Sequence, residues 1–128
     1  MSDDRFKKGM AIRKSVLGED HVERAEVNKS KFDADFQRFI TETAWGSVWS
    51  RPGLDKKTRH LLTIAIIATL GRPEELALHI KATRNTGVSR DEVKEVLLQV
   101  AAYAGIPAAN AAIAIAKQIY AQMDNEFS

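Results

Sequence analysis

The stretch LLTIAIIATLGRPEELALHI, residues 61–80, decides how this chain folds. Its first ten residues carry no charge and place Leu61, Leu62, Ile64, Ile66, Ile67 and Leu70 around every side of a helix. A helix that is apolar all round is buried, either centrally or between subunits. Gly71 closes it, and Pro73, at a first helical position, opens the next. That second helix sets His79 among alanines and leucines, with Glu75 one turn before it on the same face.

Working outward, the same punctuation continues in both directions. Asp55 is placed to cap the helix that ends at Leu70, and the helix opened by Pro73 stops at Gly87. Ser89 and Glu92 have capping-box spacing and start a fifth helix reaching about Ala104. Gly105, Ile106 and Pro107 turn the chain into a sixth, alanine-rich helix ending near Met123. Upstream, Asp3 to Leu17 reads as a first helix stopped by Gly18. Lys31 to Trp45 reads as a second, with Phe32, Phe36, Phe39 and Ile40 at amphipathic steps. The stretch WGSVWSRPGLD, residues 45–55, breaks that pattern and reads as a long loop. No segment alternates like a strand. The expected fold is all-α: one compact domain over residues 1–128, with about six helices and enough surplus apolar surface to suggest a homo-oligomer.

Composition narrows the function. A chain of 128 residues is the size of one core. With no cysteine there are no disulfides, thiolate metal sites, cysteine nucleophiles or thiol redox chemistry. A formal charge of +2 suits a small anionic ligand better than an anionic polymer. The charged start MSDDRFKKGM is unlike a signal peptide, and the apolar run LLTIAIIATLG is far short of the ~20 residues that span a bilayer. The expected location is the cytoplasm. ATRNTGVSRDEVKEVL resembles a helix-turn-helix, but Asp91, Glu92 and Glu95 would repel flanking phosphates, so no nucleic-acid partner is expected.

The candidate chemistry centres on few residues. A carboxylate at Glu75 could orient the His79 imidazole or favour its charged form. The alternative is an exposed ion pair of small value. His60 opens the apolar half of its helix, and His21 lies in a polar stretch. Glu75, His79 and His60 could supply three metal ligands, but no second Glu/His set accompanies them, and no metal is expected. Trp45 and Trp49 fall together beside Arg51, able to wall a pocket for a flat anion or simply to plug a core. Arg59, Arg72 and Arg84 add guanidinium groups suited to carboxylates.

From about Arg13 to Ala116 the chain resembles the 4-carboxymuconolactone decarboxylase family. The resemblance runs through KSVLGEDHV, AWGSVWSRPGLDKKTRHLLTIA, TLGRPEELALHIKA and GVSRDEVKEVLLQVAAYAGIPAAN, in that order. It implies an all-helical fold assembled into a ring-like homo-oligomer, a hexamer. The wider superfamily includes thiol proteins that help recycle peroxidases, with a Glu-x11-Cys-x2-Cys-x3-His signature. Placing its histidine on His79 sets the cysteine positions at Arg72 and Glu75 and the glutamate position at His60, so both thiols are missing here.

The implied activity is decarboxylation of 4-carboxymuconolactone to 3-oxoadipate enol-lactone in aromatic (protocatechuate) catabolism. The alternative is a non-catalytic or differently specialised binder of a small anionic metabolite on the same fold. The lactone dicarboxylate substrate supplies its own electron sink, so no cofactor is expected. In the implied mechanism His79 is the acid or the oxyanion donor and Glu75 orients it. Arg51, Arg59 and Arg72 are candidates to hold carboxylates, and Trp45, Trp49 and His60 candidates to line the substrate.

Overall fold

The computed structural model describes residues 2–126, and among them every regular element is helical. The elements are α1 (Ser2–Leu17), α2 (Glu19–Asn28), α3 (Ala34–Ile40), a π-helical segment (Thr41–Trp49), α4 (Lys56–Leu70), α5 (Pro73–Thr86), α6 (Arg90–Ala104) and α7 (Ile106–Glu126). They form two compact units, Met1–Lys56 and Lys57–Ser128.

In the first unit α1 packs on the π-helical segment through a crossing of two glycines. A Cβ on Gly9 would overlap the Thr41 carbonyl oxygen and stand 2.8 Å from the Gly46 nitrogen. One on Gly46 would lie 2.5 Å from the Arg5 carbonyl oxygen. Only hydrogen atoms fit at this approach. One turn along, the buried Arg13 guanidinium donates to Thr41 Oγ1 at 3.3 Å and Gln37 Oε1 at 3.1 Å. Burial lowers its pKa from the ordinary arginine value, with the Glu26 carboxylate opposing.

Two expectations for this unit need correction. Residues 45–49, read as the start of a loop, are helical, because α3 runs on into wider π turns instead of ending at Trp45. Hydroxyls support the widening: Thr41, Thr43 and Ser47 donate to the carbonyls of Gln37, Phe39 and Glu42 at 2.8, 2.7 and 3.0 Å. Gly46, inside the stretch read as a loop, is where α1 approaches. The Phe32, Phe36 and Phe39 row is also exposed, and the inner face instead carries Gln37, Thr41 and Trp45. In addition, the polar stretch 19–28 forms α2, anchored by the fully buried Val22.

The second unit is built by α4 to α7 around Ile64, Ala68, Leu76, Ile80, Val93 and Leu97. The small residues Ala109, Ala112 and Ala116 let α7 approach α5 and α6 closely. The sequence punctuation holds: Gly71 and Gly87 have positive φ, and the Gly87 N–H donates to the Thr83 carbonyl at 2.9 Å. Ser89 and Glu92 form the reciprocal capping box. Helix α4, however, is not buried on every side: Leu62, Ile66 and Leu70 form an exposed row opposite Ile64 and Ala68.

The crossing of α1 sets an expected outcome. Gly9→Ala should lower stability by about 1–3 kcal/mol through overpacking. Gly53→Ala, where a Cβ meets nothing within 4 Å, should stay within about 0.5 kcal/mol of the parent. Urea denaturation of both variants measures the difference.

Candidate active site

The site grows from the stripes that build the second core. On α4, His60 lies four residues before Ile64 and eight before Ala68, so it shares their inward face. On α5, His79 adjoins Ile80, and Thr83 and Thr86 follow at steps of four and three. Packing the apolar residues therefore brings the two histidines together. His60 is fully buried and His79 nearly so.

The two rings meet edge to face, with centroids 5.2 Å apart and planes at 70°. His60 Nε2 lies 3.1 Å from His79 Nδ1. The other nitrogen of His60, Nδ1, is 2.6 Å from Thr86 Oγ1. Thr86 Oγ1 in turn lies 3.4 Å from the Thr83 carbonyl oxygen. A line of hydrogen bonds thus runs from a helix carbonyl through a hydroxyl and one imidazole to a second imidazole. Burial first, and a charge on His79 second, pull the His60 pKa down to about 4. At neutral pH His60 is uncharged, and the pair holds one positive charge at most.

The other residues singled out in the sequence are spread more widely. Glu75 stands exposed in the first turn of α5, where a carboxylate suits the helix dipole. The His79 Nδ1 atom faces His60 Nε2, the position that the thiol signature assigns to glutamate. Arg72 precedes α5 and edges an apolar cleft of about 280 Å³ that Ile67, Leu76 and Ile115 also line. Arg59 is half-buried on α4. In the first unit Trp45 is buried and stacks on Trp49, with centroids 5.0 Å apart and planes at 27°, while Arg51 is exposed. Among the described residues no three His, Asp or Glu side chains are grouped to hold a metal.

Residues 34–118 match the model of the carboxymuconolactone decarboxylase family. The chain is 50% identical to a 4-carboxymuconolactone decarboxylase of Acinetobacter baylyi over 121 residues, covering 94% of this chain and 90% of that protein. This chain belongs to the carboxymuconolactone decarboxylase family. It is also 45% identical to the nitrosuccinic acid decarboxylase npaB of Metarhizium robertsii, over 80% of this chain and 71% of that one. A 4-carboxymuconolactone decarboxylase of Pseudomonas putida is 40% identical over 42 residues, 33% of this chain and 88% of that protein.

Within this carboxymuconolactone decarboxylase family member, sequence reasoning listed His60 with the substrate-binding residues and missed Thr86. A signal was available. Positions 79, 83 and 86 share one helix face, and two of the three are threonines facing an otherwise apolar core.

The lowered His60 pKa also fixes a pH dependence. Above about pH 6.5 His60 is neutral in both folded and unfolded chains. Below that, the unfolded chain takes up a proton that the folded one refuses until about pH 4. Stability is therefore fully present above pH 6.5 and falls by about 3 kcal/mol between there and pH 4. His60→Gln should remove that slope, as read by urea denaturation of both proteins across the interval.

Proposed function

We propose that this protein is a cofactor-independent carboxy-lyase of the cytoplasm. It converts 4-carboxymuconolactone to 3-oxoadipate enol-lactone in aromatic (protocatechuate) catabolism. The observation that carries the reading is the buried His60–His79 pair, in a chain half identical to a 4-carboxymuconolactone decarboxylase along nearly its whole length. The substrate is an unsaturated lactone with a carboxylate on its gamma carbon. When that C–C bond breaks, its electron pair passes through the ring double bond to the lactone carbonyl and carbon dioxide leaves. Protonation at the alpha carbon then gives the enol-lactone.

The protein must supply a proton and hold an anion. His79 is the proposed acid, because its neighbour His60 stays neutral and can accept the hydrogen bond of a charged His79 at Nδ1. Glu75 is assigned a helping role at the start of the same helix, and its exposure makes it the weaker member. Arg51, Arg59 and Arg72 are the proposed cations for the substrate carboxylates. Trp45 and Trp49, which stack on each other, are the proposed wall for the lactone ring.

A second reading is favoured by the relative named for nitrosuccinic acid. It is a differently specialised protein of the same fold, acting on or binding another small anion. Incubation with 4-carboxymuconolactone and, separately, nitrosuccinic acid tests both readings. Carbon dioxide release from the lactone supports the first. Calorimetric binding of the lactone without release supports the second. For the acid role, His79→Gln should lower kcat about 10²–10⁴-fold in a folded protein, and a near-normal rate removes His79 from the chemistry.

The active form is proposed to be a homo-oligomer, a ring-like hexamer. Support comes from the exposed rows Leu62, Ile66 and Leu70 on α4 and Phe32, Phe36 and Phe39 around α3, more apolar surface than a lone chain leaves in rows. The double substitution Ile66→Glu with Leu70→Glu should shift the mass seen by light scattering toward the 14.2 kDa single chain. An unchanged mass rules out the α4 row as the contact.

A further inference from the structure

The line Thr83–Thr86–His60–His79 can run in either of two directions, and donor counting ties the direction to the charge on His79. A charged His79 donates from both ring nitrogens. Its Nδ1–H then points at His60 Nε2, 3.1 Å away, which must accept. His60 therefore carries its one proton on Nδ1, and that N–H donates to Thr86 Oγ1 at 2.6 Å. The Thr86 hydroxyl proton is then directed to the Thr83 carbonyl oxygen, 3.4 Å away. No link is optional once His79 is charged.

The opposite direction has a different consequence. If Thr86 donates to His60 Nδ1, His60 must donate from Nε2 to His79 Nδ1. That nitrogen can then hold no proton, so His79 is confined to the neutral form protonated at Nε2. The orientation of one hydroxyl thus separates an imidazole that can become charged from one that cannot.

We infer that Thr86 is a positioning residue for the proposed decarboxylation: by accepting from His60 Nδ1–H it holds His60 in the tautomer that lets His79 gain and lose its proton at Nε2. The kinetic part of this rests on the decarboxylase reading, whereas the tautomeric part does not. In the step itself, the His79 Nε2–H bond breaks and its electron pair stays on nitrogen. The proton and the enolate's electron pair form the new C–H bond at the alpha carbon. His79 is left neutral with its proton on Nδ1, and no other proton in the line moves. A donor line that stays put costs no reorganisation during the transfer.

The test uses the full chain with ¹⁵N-labelled imidazoles, since only three histidines need assigning and His21→Gln identifies one of them. In the parent, His60 should show its proton on Nδ1 while His79 is charged. Thr86→Val keeps the side-chain shape but removes the acceptor, so His60 should change to the Nε2–H tautomer and hold His79 neutral. On the lactone its kcat should fall about 10–100-fold, the usual cost of losing an outer orienting group, with KM little changed. Thr86→Ser should restore both the tautomer and the rate.

Parent His60 protonated at Nε2, with His79 held neutral, overturns the inference, even if Thr86→Val does not fold. So does a folded Thr86→Val with parental ¹⁵N shifts or parental kcat. If the parent shows the expected tautomers but does not decarboxylate the lactone, the relay stands and the substrate assignment falls.

Discussion

Two imidazoles hydrogen-bonded at 3.1 Å in a buried place can hold only one positive charge, and much of the second unit follows from meeting that condition. The rings must be held in register by two helices. A helix turned by one residue rotates its side chains by about 100°, which would carry His79 off the inner face. Register is set by apolar residues in the same stripes, Ile64 and Ala68 after His60 on α4, and Leu76 and Ile80 around His79 on α5. Gly71 and Pro73 keep the connection short enough that the two stripes face each other. The core and the site are therefore one construction, and the histidines lie at its end.

The first unit solves its packing with different means. Its closest approach uses two glycines, and its buried polar contact is Arg13 to Thr41 and Gln37. The Thr41 hydroxyl both accepts from Arg13 and donates to the Gln37 carbonyl, so it ties the guanidinium to the point where α-helix gives way to π turns. Trp45 and Trp49 stack within the same segment. The π turns, the hydroxyl bonds to backbone carbonyls and the tryptophan stack thus fall in one short segment.

The helices from Lys56 onward were legible because their signals are local: Gly after the last periodic residue, Pro at a first turn, and Ser and Glu at capping-box spacing. The π segment was not, since its signals compete. Gly46 reads as part of a loop until a neighbouring helix needs the space of its missing side chain. The phenylalanine row has the right period for a buried face, yet Phe32 is 97% exposed, because period marks a face without saying what covers it. In the site, His79 was legible from its apolar setting. Its neighbour was not, because Glu75 is close along the helix while His60 is close only after α4 folds back on α5. Local spacing favoured the exposed carboxylate over the buried imidazole.

That difference bears on the chemistry. The thiol signature, laid with its histidine on His79, has a glutamate where this chain has His60. A carboxylate beside an imidazolium favours the charged form by about 1–3 pH units, which holds a proton well but surrenders it poorly. A buried neutral imidazole accepts the same hydrogen bond without a counter-charge, because its own protonation is driven down to about pH 4. It orients its neighbour without anchoring the positive charge. A relay between thiols needs a base that keeps collecting protons, whereas protonating a carbon needs an acid that will release one. A neutral His60 where the thiol signature has a glutamate is therefore compatible with the acid role proposed for His79.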